Sequence, residues 1–314
     1  MKIGIPRAFL YYRYRYLWET FFKELGCEVI ISPDTNKGIL KTGLSVSIDE
    51  SCLSSKIYLG HVEYLIDKCD FVFIPRVSTF GKRQIVCTKF QSTYDVVNNI
   101  FRDRDIKILD FNLDKKKKET EFKAFMQVGK QLKKRKMAVL RAYWMAKQAE
   151  KIKHEEALEK QNELLNQDGT IKILLVAHGY NVYDKYIGEP IIEFLNELGV
   201  VPIIAETVDR EKAAERAKEI TPTLQFDYNK ELVGAVAIYK NQVDGIILMS
   251  SFPCGPDALV NEMIIRKNKD IPIVNLTLDE QSGTAGRETR IESFIDIIKL
   301  KKENEVCPKQ KKKN

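Results

Sequence analysis

Three cysteines stand at turns that lead into helical sequence. Cys52 lies in Asp49-Glu-Ser-Cys-Leu-Ser-Ser-Lys56, Cys87 in Ile85-Val-Cys-Thr-Lys-Phe90, and Cys254 in Met249-Ser-Ser-Phe-Pro-Cys-Gly-Pro-Asp-Ala-Leu259. The run Asp244–Met249 before Cys254 is an apolar strand pattern, and Ala258–Arg266 after it is an amphipathic helix pattern. In parallel α/β sheets ligands gather at strand carboxyl ends. A thiol at such a junction meets backbone N–H groups and a helix N-terminus, which favour thiolate. Three such thiols point to one shared metal site, and iron–sulfur is the kind that matches an all-thiolate donor set. Spacing alone leaves that reading level with three unrelated thiols, because dispersed single cysteines lack the force of a Cys-x₂-Cys pair. Cys27 and Cys69 have apolar neighbours and read as buried inert thiols, and Cys307 falls in the terminal tail.

Other polar groups sit at similar junctions. His178-Gly-Tyr-Asn-Val-Tyr-Asp184 follows a strand pattern and is either a site loop or a turn held by Asn181 and Asp184. Ser282-Gly-Thr-Ala-Gly286 can present N–H groups to an anion, with Asp279 and Glu280 just before it as acid, base or cap. It lacks the Lys-Ser/Thr of a P-loop and does not match Gly-x-Gly-x-x-Gly, so nucleotide hydrolysis and a nicotinamide site are set aside. His61 reads as a helix-borne core histidine. Lys56 is one turn past Cys52; it can face the same cleft, although an exposed helix lysine is the commoner case.

The 314 residues suffice for two domains, and the 44% apolar content supports real cores. No run of about 18 apolar residues occurs, so no spanning helix and no membrane partner are expected. The start, Met1-Lys-Ile-Gly-Ile-Pro-Arg7, reads as a strand rather than a signal peptide, which makes a cytoplasmic location the default. Six cysteines in such a chain do not form a secreted disulfide framework. The net charge of +7 is concentrated: Lys115–Lys160 carries fifteen Lys and Arg against six Glu, leaving the rest slightly acidic. A solvated helical face explains this better than nucleic acid, since no Gly-aromatic RNA signature or helix-turn-helix pattern accompanies it.

Strand and helix patterns alternate through both halves, with the third strand over Phe71–Pro75, which predicts an α/β fold of two Rossmann-like three-layer lobes with parallel sheets. The expected division is an N-terminal lobe over 1–114, a helical connector over 115–169, a C-terminal lobe over 170–302 and a basic tail over 303–314. The connector is nearly free of Gly and Pro and predicts one long helix or a helical pair.

Taken in order, Lys2-Ile-Gly-Ile-Pro-Arg-Ala8, Asp49-Glu-Ser-Cys52, Lys56-Ile-Tyr-Leu-Gly-His61, Cys87-Thr-Lys-Phe90, His178-Gly-Tyr-Asn181, Cys254-Gly-Pro-Asp257 and Asp279-Glu-Gln-Ser-Gly283 resemble the 2-hydroxyacyl-CoA dehydratase component superfamily. The subgroup they resemble most is that of the acyl-CoA dehydratase activase-related proteins. The resemblance runs from Met1 to about Lys299 and departs from the usual pattern at Thr88 and over Gln91–Tyr94. It implies two Rossmann-like lobes with an iron–sulfur cluster in the cleft, held by three protein thiolates per four-iron cubane. Those thiolates map onto Cys52, Cys87 and Cys254. A single [4Fe-4S] cluster and a larger double-cubane assembly both remain open. Relatives dehydrate or reduce acyl-CoA thioesters with low-potential electrons from a separate ATP-hydrolysing activator. On that reading His178 or Glu280 assists proton movement on an acyl thioester or other small substrate. Two further readings stand beside it. One is a non-catalytic electron relay or partner subunit, paired with a homologous chain or a second copy; the other is a basic nucleic-acid scaffold.

Overall fold

The computed structural model describes residues 1–81, 84–281 and 284–306. Cys307, the basic tail beyond Val306 and Ser282–Gly283 lie outside the described residues. The first part of the chain contains β1 (Lys2–Ile5), α1 (Tyr11–Glu24), β2 (Glu28–Ile31), α2 (Lys37–Val46), α3 (Leu53–Leu65), β3 (Phe71–Gly81), β4 (Gln84–Ile85), α4 (Thr88–Gln91), α5 (Thr93–Ile100) and β5 (Ile108–Asp114). Next come α6 (Glu121–Gln131) and α7 (Lys136–Leu165). The remainder contains β6 (Ile171–Val176), α8 (Gly179–Val182), α9 (Glu189–Glu197), β7 (Val200–Ile204), α10 (Arg210–Arg216), α11 (Asp227–Tyr239), β8 (Gly245–Ser251), α12 (Gly255–Lys267), β9 (Ile273–Leu278) and α13 (Thr284–Val306).

The two sheets share one plan. In the first, β1 lies between β2 and β3, β5 pairs parallel with β3, and β4 adds an antiparallel turn at the far end of β3. In the second the order is β7-β6-β8-β9, all parallel. Strands covered on both faces read as continuous apolar runs, and β8 is buried along its whole length. Alternation divides its side chains. Ile247 and Met249, with Ile173 and Leu175 of β6, join the large core that also holds Ile3, Phe22 and Phe73 of the first lobe. Ile246, Leu248, Leu174 and Val176 face the other way, into a second core with α10 and α11. One apolar cluster therefore runs through both lobes.

The segment after β5 is a helical pair closely packed on its surroundings. Phe125 of α6 packs on Phe21 and Phe111, and α7 lies along α1 and reaches β7. Two differences from the sequence reading affect the site. β3 continues past Pro75 to Gly81, because Val77 and Thr79 keep pointing inward while β5 pairs alongside. Thr284, Ala285 and Gly286, read as part of an anion-binding loop, open α13 instead.

α3 is placed by a reciprocal glycine contact with α2. A Cβ on Gly43 would lie 2.0 Å from the Lys56 carbonyl oxygen, and one on Gly60 would lie 2.1 Å from that of Ile39. Only bare backbone lets the two helices come this close. Gly60→Ala must push them apart and is expected to destabilise the protein by about 2 kcal/mol or more in urea unfolding. Gly286→Ala, where a Cβ meets nothing within 4 Å, is the control and should change stability by less than about 0.5 kcal/mol. Equal stability of the two variants would show that the helix contact is not tight.

Candidate functional site: a cysteine pocket between the lobes

The three cysteines occupy the same local position, the N-cap. Cys52 caps α3, Cys87 caps α4 and Cys254 caps α12, with extended backbone at Cys52 and Cys254. His178 caps α8 in the same way. Gly255 and Pro256 open α12, where proline's fixed φ and missing N–H carry no penalty. The thiols face backbone N–H groups of Ser55, Lys89 and Asp257 respectively.

These caps come together because the lobes are joined beside them. Leu53 N–H donates to the Phe252 carbonyl at 2.9 Å, tying the start of α3 to the loop that carries Cys254. Ser54 Oγ, Ser251 Oγ and Asn181 Oδ1 form a buried triangle with sides of 2.7 to 2.8 Å. Lys56 Nζ donates to Glu280 Oε1 at 2.7 Å. On the other side of the junction Arg13 makes a bidentate contact with Glu231 at 2.7 and 2.8 Å.

Cys52, Cys87 and Cys254 line one pocket with His178, Tyr180 and Asp257. His178 Nε2 lies 3.1 Å from Asp257 Oδ1, which also accepts from Asn229 Nδ2 at 2.8 Å. The imidazole stacks on Tyr180 with ring centres 5.0 Å apart. Phe9 and Phe90 close the pocket from the first lobe, and the space left between these groups is about 20 Å³, room for about one water.

Burial sets the electrostatics. It pushes all three thiols above the ordinary cysteine range, and the facing N–H groups offset this only in part. For Cys254 the Asp257 carboxylate adds to the rise. Such thiols stay protonated near neutral pH, so they are poor nucleophiles unless a positive centre joins them. Burial opposes charge on both His178 and Asp257. Even so, their mutual attraction holds His178 above and Asp257 below its ordinary value, which makes them an ion pair.

The remaining sequence candidates divide clearly. Cys27 is buried, Cys69 donates to the Leu65 carbonyl at 3.3 Å, and neither lines the pocket. Lys56 is buried rather than exposed, because α3 is enclosed from Leu53 through Val62 and Glu280 meets its ammonium. Glu280 is held by that contact and does not line the pocket. Asp184 holds its turn by accepting from the N–H groups of Tyr186 and Ile187, and its other oxygen accepts from Thr35 and Tyr12 of the first lobe, so both it and Asn181 reach across the lobe junction. Sequence reasoning gave no role to Asp257, Asn229, Tyr180 or Lys89. Asp257, an acid three residues past a capping cysteine, carried a readable signal; Asn229 carried none.

Among the described residues no three His, Cys, Asp or Glu side chains are grouped as ligands of a single metal ion. No described helix is long and apolar enough to cross a membrane. Three of the six Lys and Arg of α7 pair with acids: Lys147 with Glu121 and Glu150, Lys151 with Glu155 and Lys153 with Glu156.

The family described as "CoA enzyme activase uncharacterised domain" matches residues 2–208, and the chain belongs to that family. The matched stretch includes Cys52, Cys87 and His178, while Cys254 lies beyond it. No curated protein matches the chain. Among solved structures, the Mn2+ complex of the SBP FpvC from Pseudomonas aeruginosa is 13% identical, with a TM-score of 0.28 and coverage of 97% of this chain and 99% of that one. A Zn(II)-bound AdcAII variant of Streptococcus pneumoniae is 12% identical, with a TM-score of 0.29 and coverage of 95% and 97%. ZnuA is 11% identical, with a TM-score of 0.24 and coverage of 95% and 98%. TM-scores this low carry no argument about fold or function.

His61 sits under the site in α3, with Nδ1 2.8 Å from Ser32 Oγ and Nε2 2.9 Å from Thr35 Oγ1. Burial first, and Arg7 second, pull its pKa down to about 3. In the unfolded chain the ring titrates near ~6.5. Between these values the unfolded state binds the extra proton, so stability falls as pH drops. The expected loss from this residue between pH 7 and pH 5 is about 2 kcal/mol. Urea titrations at both pH values should show His61→Gln losing about that much less than the parent protein. An identical acid loss in the variant would assign it to other groups.

Proposed function

We propose that this chain is an iron–sulfur redox component of the 2-hydroxyacyl-CoA dehydratase type, with Cys52, Cys87 and Cys254 as the protein ligands. The observation that carries this reading is the convergence of three helix-capping thiols from both lobes on one buried pocket. A cubane takes its cysteines on separate irons, so its thiolates need not crowd as they would around one ion. The raised thiol pKa values favour the same conclusion, since iron replaces the proton on a buried sulfur and removes the desolvation penalty.

When bound, such a cluster supplies low-potential electron transfer and one iron without a protein ligand. The chain's own groups would do the rest. The N–H groups at Ser55, Lys89 and Asp257 lie where they can stabilise sulfur charge. Phe9, Phe90 and Tyr180 keep water out. Asp257 holds His178 through Nε2, which leaves Nδ1 as the ring position for a proton. Glu280, bound to Lys56, orders the lobe junction on this reading.

The size of the pocket favours an electron-relay role over turnover of an acyl thioester. About 20 Å³ does not admit a thioester, and seating even a cluster requires the lining side chains to part. The activase description of the family supports a partnership with a dehydratase component. The chain has no P-loop, so an ATP-hydrolysing activator would be the electron source. The Glu partners of Lys147, Lys151 and Lys153 on α7 reduce the charge open to a nucleic-acid scaffold.

Anaerobic reconstitution with iron and sulfide tests the assignment. The parent protein should gain a broad visible absorption and about four iron and four sulfide per chain. Cys52→Ser, Cys87→Ser and Cys254→Ser should each lose most of it, and Cys27→Ser should load normally, because a hydroxyl is a much poorer iron ligand than a thiolate. A parent protein that stays colourless and iron-free would overturn the reading. Cluster reduction should then require the activator, a reductant and ATP together; full reduction by a mild donor alone would remove the need for that partner.

A further inference from the structure

The geometry points to a second site, for a small apolar carboxylate, in the cavity enclosed by α2, α3 and α5. This inference does not rest on the iron–sulfur reading. The cavity measures about 190 Å³. An engineered cavity of about 150 Å³ lined by aliphatic and aromatic groups takes up benzene, so this one holds a ring or a branched chain of similar size. Val46, Leu59, Val96, Val97 and Ile100 supply most of the wall.

Polar groups interrupt that wall at Ser47, Ser51, Ser55, Tyr58, Lys89 and Thr93, and three of them bear on a ligand. Tyr58 is 4% exposed, and its hydroxyl has no hydrogen-bond partner. Ser47 Oγ, at the carboxyl end of α2, is likewise buried without a partner. Leaving a buried hydroxyl unpaired costs about 1–3 kcal/mol. Lys89 is the third. Its ammonium lies 3.2 Å from Ser51 Oγ and, among the described residues, meets no carboxylate. A half-buried cation and two unsatisfied hydroxyls lining the same largely apolar chamber suit the charged end of an organic acid whose apolar end fills the space. Phe9 and Lys89 line both this cavity and the cysteine pocket. The carboxylate would therefore sit at the boundary between them.

The predicted ligand is a free acid, not a thioester, because a thioester removes the charge that Lys89 would recognise. Titration calorimetry on the full chain tests this with benzoate, benzamide and the coenzyme A thioester of benzoic acid as probes. Benzoate is expected to bind at least about tenfold more tightly than benzamide and the thioester, the usual effect of a charge-assisted contact. Lys89→Gln should erase the preference for the acid while keeping the melting temperature. Tyr58→Phe should weaken benzoate by about three- to tenfold. Val96→Phe fills the chamber and should abolish binding of all three probes. Benzoate binding weaker than about 10 mM would mean the cavity holds water only and would overturn the proposal. Equal affinity for acid and amide, tighter binding of the thioester, or unchanged binding by Val96→Phe would overturn it as well. The titration is run on cluster-free protein, so its outcome is separate from that of reconstitution.

Discussion

α3 is the element on which the arrangement depends, because it is a polar helix with nowhere to expose its polarity. Ser54, Ser55, Lys56 and His61 are all buried along it. Burying such groups without partners would cost several kcal/mol in total, so the helix can sit centrally only if its partners arrive from elsewhere. They arrive from both lobes: Ser32 and Thr35 for His61, Asn181 and Ser251 for Ser54, and Glu280 for Lys56. The glycine contact with α2 sets how deep α3 lies. Its partners in the second lobe then set the relation of the lobes to one another.

The cysteine pocket follows from that helix. Cys52 is the N-cap of α3, so whatever fixes the helix fixes the first thiol, and the bond from Leu53 to Phe252 brings the Cys254 loop to it. Two opposed effects then act on each sulfur. Helix N-termini favour the thiolate, whereas enclosure by Phe9, Phe90 and Tyr180 disfavours it. Enclosure wins in the protein by itself. The site is thus suited to a cationic guest and poorly suited to a nucleophilic thiol. Burial likewise opposes the charge on Asp257, and His178 first, then Asn229 and Cys254, hold it ionised.

Much of this was legible in the sequence, and the parts that were not share a cause. Helix caps are local. Gly-Pro after Cys254 and the turn residues before Cys52 announce a helix start within a few positions, so the placement of the thiols could be read directly. The apolar face of α3 could also be read, from Ile57, Tyr58, Val62 and Leu65. The burial of its opposite face could not, because the group that receives Lys56 lies 224 residues away. β3 illustrates the limit at a proline. Pro75 reads as a strand end, yet β1 pairs only with Phe71 and Val72, so the strand runs on beyond β1's cover without breaking a ladder there. The role of Asn229 was invisible because it depends wholly on a contact with Asp257.

The lobe junction also bears on how the molecule can move. Lobes meeting over a cleft invite a hinge, but this cleft is crossed by two ion pairs with little exposure, Arg13 with Glu231 and Lys56 with Glu280. Such pairs add little net stability, because desolvation offsets their attraction. Opening would hydrate both charges of a pair, so the pairs fix the register of the lobes, and the resistance to opening comes from the core that both lobes share. Access to the cysteines by wholesale opening is therefore expensive. Movement of the Cys254 loop or of the short α4 disturbs neither ion pair, and Phe252 in that loop is already 54% exposed. Exchange at the pocket is accordingly a local event at the caps, with α3 and its partners held in place throughout.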